Sequence, residues 1–445
     1  MKKKILVISL SIFFILTINY INNVGNGNFL KGLKYTLKSP QKNIRDNINL
    51  LGKYFLKFEF KKTQSQTKNI GQYNFEIEKF KNPYIDNMGP RGYLKFNKEH
   101  LFLISGNGFL MISRIEKKLK NKLIFKPIKT NITTLSGYSL ENHSNFVNGF
   151  LIKDNKFFVS IIKSDKNDCL KNSVLISDLN LKKMIFEELF VNDYCGLFGQ
   201  NRGGYIADYK KNKILMSIGD FDSYLRDENS PQETKNLLGK IITIDIKTGE
   251  SSIISMGHRN IQGIFYDKDY DVVFSAEHGP QGGDEINLNI NPGKEIKNYG
   301  WAISSYGEHY GYPDIDPDVY ITAPLNKSHK DFGFIEPLRY FTPSIAPTAI
   351  IKNEKILNLK NSHAIYLSTL GWFKDGEEPK NIYDNSSGKQ SIHQILLDEN
   401  YKIIDYNILP VGERMRDLTY IEKINKIAVF LETSGELMFL KISKN

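Results

Sequence analysis

Residues Tyr205–Gly219 read YIADYKKNKILMSIG: an apolar strand, a turn of charged residues, then a second apolar strand. The phrase recurs in Tyr93–Ser105 (YLKFNKEHLFLIS), Gly149–Ile162 (GFLIKDNKFFVSII) and Gly263–Ala276 (GIFYDKDYDVVFSA). It returns in Ala349–Leu370 with a longer insertion, and in Leu418–Leu431 (LTYIEKINKIAVFL). A period of two with Ile, Val, Phe and Leu on the apolar positions predicts strands, and the short polar break predicts a hairpin. Copies spaced by roughly 60 residues fit an all-β, six-bladed β-propeller, in which each blade is a small antiparallel sheet repeated around an axis. Lys240–Asp245 (KIITID) and Ser391–Asp398 (SIHQILLD) read as further strands of two blades. A pair of large β-sandwiches is the alternative; the regular period favours the propeller.

The rhythm begins near residue 75, so the chain divides into 1–23, 24–74 and a propeller over 75–445. Lys2, Lys3 and Lys4 precede the apolar run Ile5–Ile18, the pattern of a signal peptide or of an uncleaved N-terminal membrane anchor. No small-residue cleavage site follows, and both readings place the rest of the chain in the periplasm or another extracytoplasmic space. Between 24 and 74, Ile44, Ile48, Leu51 and Phe55 recur at helical spacing among lysines, which predicts a basic helical linker. Such a helix either rests on anionic lipid headgroups or packs against the main domain.

Charge follows the same division. Residues 1–70 hold 12 Lys and Arg45 against Asp46 and Glu59, which accounts for the whole net charge of +11. The remainder is neutral, so the main domain has no bias toward a nucleic-acid backbone, and the N-terminal segment is the candidate for membrane contact. The two cysteines, Cys169 and Cys195, lack metal-ligand spacing; they form one disulfide in an oxidising compartment or stay separate thiols.

Three loop motifs carry the chemistry: Met256–Asn260 (MGHRN), Ser275–Glu285 (SAEHGPQGGDE) and Glu413–Asp417 (ERMRD). Guanidinium forks bind carboxylates in bidentate fashion, and Asn260 beside Arg259 adds an amide. Arg414 and Arg416 alternate across one residue, so on a strand they share a face, with an anion or with Glu413 and Asp417 as partners. Glycine-rich turns aim carbonyl oxygens at hard cations.

In order, GHRN, EHGPQGGDEIN, NYGW, SYG, PSIAP and RxRD resemble the site loops of the soluble pyrroloquinoline-quinone (PQQ) sugar dehydrogenases, the glucose/sorbosone dehydrogenase family. The resemblance covers about residue 200 to the end; over 75–199 only the blade rhythm persists. It implies an exported sugar or alcohol oxidoreductase using PQQ and calcium. Arg259, Asn260, Arg414 and Arg416 would then hold cofactor and substrate, the Gly279 and Pro280 carbonyls the calcium, and Glu285 and Tyr299 a further cation. The fixed hairpin length to Ile218-Gly219-Asp220 puts Asn201 where the family has its base histidine. An amide orients a hydroxyl and does not take its proton. Lys374, His309, Asp220 and Asp222 are the candidates to replace it, with His278 behind them. Phe341 stands where many members have Trp, and no basic residue follows Ser368-Thr369-Leu370. A degenerate propeller binding a glycan, organic anion or partner protein without redox turnover is the alternative, and the electron acceptor is unspecified.

Overall fold

The computed structural model describes residues 58–82, 91–137, 145–164, 169–196, 200–223, 230–308, 326–359, 362–371 and 388–445. It is an all-β, propeller-like fold. The expected hairpins form the first two strands of successive sheets. Gly92–Asn97 pairs with His100–Ser105, Val147–Lys153 with Lys156–Ser164, and Gly203–Asp208 with Lys213–Ile218. Asn260–Asp267 pairs with Val272–His278, Pro347–Lys352 with His363–Thr369, and Met415–Ile421 with Lys426–Leu431. Lys240–Asp245 and Ser391–Leu397 are third strands, as expected. First strands neighbour one another in turn around a ring, and Met415–Ile421 meets Gly92–Asn97 to close it.

The apolar core is divided among the seams between adjacent sheets. One cluster joins Phe150, Phe157 and Val159 to Phe102 and Ile104; the next joins Phe158 and Ile162 to Ile214 and Met216. Middle strands are therefore covered on both faces, which is why Ser391–Leu397 (SIHQILL) is buried along its whole length.

Closure corrects one expectation. Residues 58–74, assigned above to the helical linker, are strand: β1 (Phe58–Ile70) and the start of β2 (Tyr73–Lys81) form a hairpin. β2 pairs with Leu437–Lys444, so the N-terminal side supplies the outer strand of the last sheet. β1 then pairs with Lys122–Ile128 of the first sheet, fusing first and last sheets into nine continuous strands. Phe58 and Phe60 in β1, and Tyr73, Phe75 and Ile77 in β2, point into the core with partly exposed Glu59, Asn74 and Glu76 between them, a period of two. The expected leader (1–23) and the helical positions Ile44, Ile48, Leu51 and Phe55 lie outside the described residues.

Cys169 and Cys195 are joined, with Cα atoms 5.1 Å apart. They flank a bridge between Leu170 and Gly196.

Candidate functional site

First strands begin, and second strands end, at one rim. Asn201–Arg202, His258–Arg259, Ser344–Ala346 and Arg414 therefore come to the same end as Asp220, His278 and Gly279.

Arg259 and Asn260 open the strand Asn260–Asp267. The Arg259 guanidinium donates to the carbonyls of Gly279 (2.6 Å) and His278 (3.3 Å), and its central carbon lies 5.4 Å from the centre of the Trp301 ring. Its main-chain N–H donates to Glu277, which also accepts from Asn287. Asn260 Oδ1 accepts from Gly203 N (3.2 Å) and from Gln262 Nε2 (2.8 Å). Gln262 Oε1 in turn accepts from Arg416 (3.3 Å), which ties the two motifs together.

Arg414 and Arg416 do share a carboxylate, and it is neither Glu413 nor Asp417. Glu432 accepts from Arg416 Nε (2.5 Å) and from Arg414 (3.3 Å). Glu413 pairs with Lys79, while Asp417 accepts from Leu94 N, Lys95 and the Tyr205 hydroxyl. The Met415–Leu431 pairing sets Glu432 beside the arginines, a relation visible only once register is known. Two more arginines approach. Burial pushes Arg91 down to about 10, and the charges of Arg416 and Arg202 add to that effect. His278 reports the same field: burial drives it down to about 3, with Arg416, Arg259 and Arg414 pushing the same way. Its Nε2 is committed to the Pro347 carbonyl (2.8 Å), so it is a neutral structural imidazole.

The turn Gly279–Gly283 is anchored by Asp284. One carboxylate oxygen accepts from Gly279 N (2.9 Å) and Ser344 Oγ (3.3 Å), the other from Ile345 N and Ala346 N (both 2.7 Å). Burial pushes this carboxyl up to about 7 against those donors. Gly279 admits no side chain, because a Cβ there would stand 2.3 Å from the Gly283 carbonyl oxygen. The Pro280 carbonyl accepts from Ser344 (3.3 Å).

Behind the turn lies a small pocket walled by Glu277, Glu285, Tyr299, Trp301, Ser304 and His329. Glu285 and Tyr299 do meet there, with their polar atoms already engaged. Glu285 accepts from His329 Nε2 (2.8 Å) and Asn287 (3.1 Å), and the Tyr299 hydroxyl donates to the Leu288 carbonyl (2.9 Å). Burial pushes Glu285 up; for His329 burial opposes the charge and Glu285 outweighs it, leaving the imidazole raised. Among the described residues, no group of three or more His, Cys, Asp or Glu is arranged to hold a metal.

Asn201 sits in a left-handed conformation (φ 44°), and its amide donates to Asp222 Oδ1 at 2.5 Å. Asp222 N donates to Asp220 Oδ1 (3.0 Å), and Trp301 Nε1 to Asp220 Oδ2 (2.7 Å). Burial raises Asp220 to about 7; Arg259 opposes this and Asp222 adds to it. Of the other proposed replacements, Lys374 and His309 lie outside the described residues.

Sequence reasoning gave no role to Trp301, Gln262, Glu432, Arg91 or Arg202. For Gln262 a signal existed, since it lies two residues from Asn260 on the same strand face. The Phe341 ring is buried edge-on to His393 (5.8 Å between ring centres), and its carbonyl accepts from Gly283 N of the site's turn (2.8 Å).

Residues 153–365 match the family described as Glucose / Sorbosone dehydrogenase. An uncharacterised protein of Synechocystis sp. is 30% identical over 263 residues, which is 55% of this chain and 56% of that protein. The soluble aldose sugar dehydrogenase of Escherichia coli in its apo-form superposes with a TM-score of 0.60 at 16% identity, covering 86% of this chain and 100% of the other. The holo form of the pyranose dehydrogenase PQQ domain from Coprinopsis cinerea gives 0.54 at 12% identity, covering 85% and 98%. These two likenesses speak to the fold. The chain spans 56% to 58% of the length of the curated relatives it matches.

Proposed function

We propose that this chain, a divergent member of the glucose/sorbosone dehydrogenase family, is an exported oxidoreductase that oxidises an aldose or related alcohol with PQQ and calcium, on a propeller of six blades. The observation that carries the reading is the convergence of Arg259, Arg414 and Arg416 around the neutral His278, with Arg91 and Arg202 close by. Glu432 accepts from both Arg414 and Arg416, and Gln262 accepts from Arg416 as well. Guanidinium groups gathered this closely repel one another unless anionic charge lies among them, and PQQ is a polycarboxylate. The residues present therefore fit the cofactor.

They also fit a hard cation beside it. Gly279 and Pro280 present carbonyl oxygens on a turn that Asp284 holds in place. A carbonyl has two lone pairs, so the contacts from Arg259 and Ser344 leave room for one ligand bond each. Among the described residues no group of three or more His, Cys, Asp or Glu is arranged to hold a metal, so the rest of the coordination would come from the bound anion and water.

When bound, the quinone supplies a two-electron acceptor for hydrogen leaving the substrate carbon. The chain's own contribution is placement and field. Arg259 bridges the turn and the Trp301 ring, Asn260 is locked by Gly203 and Gln262, and the arginines hold negative charge at the rim. Glu285 is closed by His329 and Asn287, and no second cation is assigned to it.

Export is supported by the leader-like residues 1–18 and by the Cys169–Cys195 bridge, since disulfides persist outside the reducing cytosol. The test is dye reduction by the full chain loaded with PQQ and calcium over a panel of aldoses, uronates and alcohols. Turnover on any member supports the reading; bound quinone with no turnover on the panel contradicts it and favours a binding protein.

A further inference from the structure

Oxidation of a hydroxyl releases a proton, and most carboxylates of the rim are already committed. Asp220 is sealed by Trp301 and the Asp222 N–H, Asp284 by four donors, and Glu432 by two arginines. Glu277 and Glu285 accept from Asn287 and from Arg259 N or His329.

Asp222 stands apart in how the chain delivers it. Phe221 (φ 50°) and Asp222 (φ 56°) are consecutive non-glycine residues in the left-handed region, and Asn201 facing them is a third. Such conformations cost of order 1 kcal/mol or more each and persist where the surroundings impose them. Here the imposing contacts are visible. The Phe221 N–H donates to the Asn201 carbonyl (3.2 Å), Gly196 is packed so closely on the Phe221 ring that it admits no Cβ, and Asp222 N is pinned to Asp220. The result folds a carboxylate back onto the Asn201 amide, beside Asp220, whose other oxygen holds the Trp301 indole.

We propose that Asp222 is the proton acceptor of the reaction and that Asn201 is its positioning residue, an amide–carboxylate pair in the role an imidazole would fill. This rests on the oxidoreductase reading above. The substrate O–H bond breaks with its proton passing to an Asp222 carboxylate oxygen. The C–H bond on the same carbon breaks with both electrons and the hydrogen leaving to the bound quinone, and the carbon becomes a carbonyl.

The experiment compares the full chain with Asp222→Asn and with Asn201→His in the Asp222→Asn background. Quinone binding is followed by absorbance, and cofactor reduction in single turnover across pH. A positioned base contributes about 10²–10⁴ in rate. Asp222→Asn should therefore reduce the cofactor at least about 100-fold more slowly with quinone affinity kept. The double variant should recover at least about tenfold, with its acid limb moved toward the imidazole range near 6.5. In the unloaded protein, the Asn201 side-chain amide resonance should titrate in wild type and stay flat in Asp222→Asn. Reduction within about threefold of wild type in Asp222→Asn, or a loss that Asn201→His leaves unrepaired, overturns the assignment. A wild-type chain that binds no quinone overturns the oxidoreductase reading itself, and the assignment with it.

Discussion

Asp284→Asn tests how the cation-facing turn is held. The carboxylate serves four donors, two per oxygen: Gly279 N and Ser344 Oγ on one, Ile345 N and Ala346 N on the other. An asparagine has one oxygen, so either orientation turns an NH₂ group toward two donors. The less costly orientation keeps Ile345 and Ala346, lets the Ser344 hydroxyl rotate away, and orphans Gly279 N. One buried main-chain N–H without an acceptor costs roughly 1–3 kcal/mol, and loss of the charge on the remaining bonds adds to it. The expected destabilisation is about 2–4 kcal/mol, a large part of the roughly 5–15 kcal/mol of a whole domain. Urea unfolding followed by circular dichroism at pH 8, where the carboxyl is ionised in the fold, reads it as a lower midpoint at unchanged slope. Because the released N–H belongs to Gly279, calcium affinity in the presence of quinone should fall as well. A stability loss under about 0.5 kcal/mol would refute the view that this carboxylate holds the turn.

Three further outcomes are expected. Glu432→Gln leaves Arg414 and Arg416 without their shared carboxylate, so the unloaded protein should lose about 3–5 kcal/mol, and added PQQ should raise its melting temperature more than it raises wild type's; an equal shift contradicts the anion role. His393, fully buried between Gly388 and Tyr406, is driven by burial down to about 4. Below about 6.5 the unfolded chain takes up a proton that the fold refuses. Its stabilisation is therefore complete above 6.5 and lost as pH falls toward 4, and His393→Gln should flatten that slope by about 1.4 kcal/mol per pH unit, read from urea midpoints. Gly219→Ala would set a Cβ 1.8 Å from the Asn201 carbonyl oxygen, so it should cost about 1–3 kcal/mol and lower cofactor reduction along with stability; an unchanged melting curve contradicts the packing described.

Much of the fold was legible because hairpins are local. An apolar strand, a polar turn and a second strand announce themselves within fifteen residues, and all of the quoted copies fall on the first two strands of a sheet. β1 was missed for the converse reason. Its partners are β2 and Lys122–Ile128, edge strands of two different sheets, and beyond Phe60 it is largely solvated, so it shows no continuous apolar alternation. The helical spacing of Ile44 to Phe55 then drew the boundary too far along the chain. At the site, Arg259, Asn260, Gly279 and Pro280 come to one rim because each ends or opens a strand on the same side. The partner of Arg414 and Arg416 was misjudged because neighbours in sequence, Glu413 and Asp417, point elsewhere, and Glu432 arrives through register. The contact between Asn201 and Asp222 depends on three left-handed residues, a backbone choice that residue types alone do not announce.

The most direct measurement is an equilibrium titration of the full chain with PQQ, with and without calcium, repeated for Arg416→Ala. Saturable binding that calcium tightens and that Arg416→Ala weakens at least about tenfold is the predicted result. Absence of binding, or binding that ignores both calcium and the arginine, contradicts the quinone-dependent account.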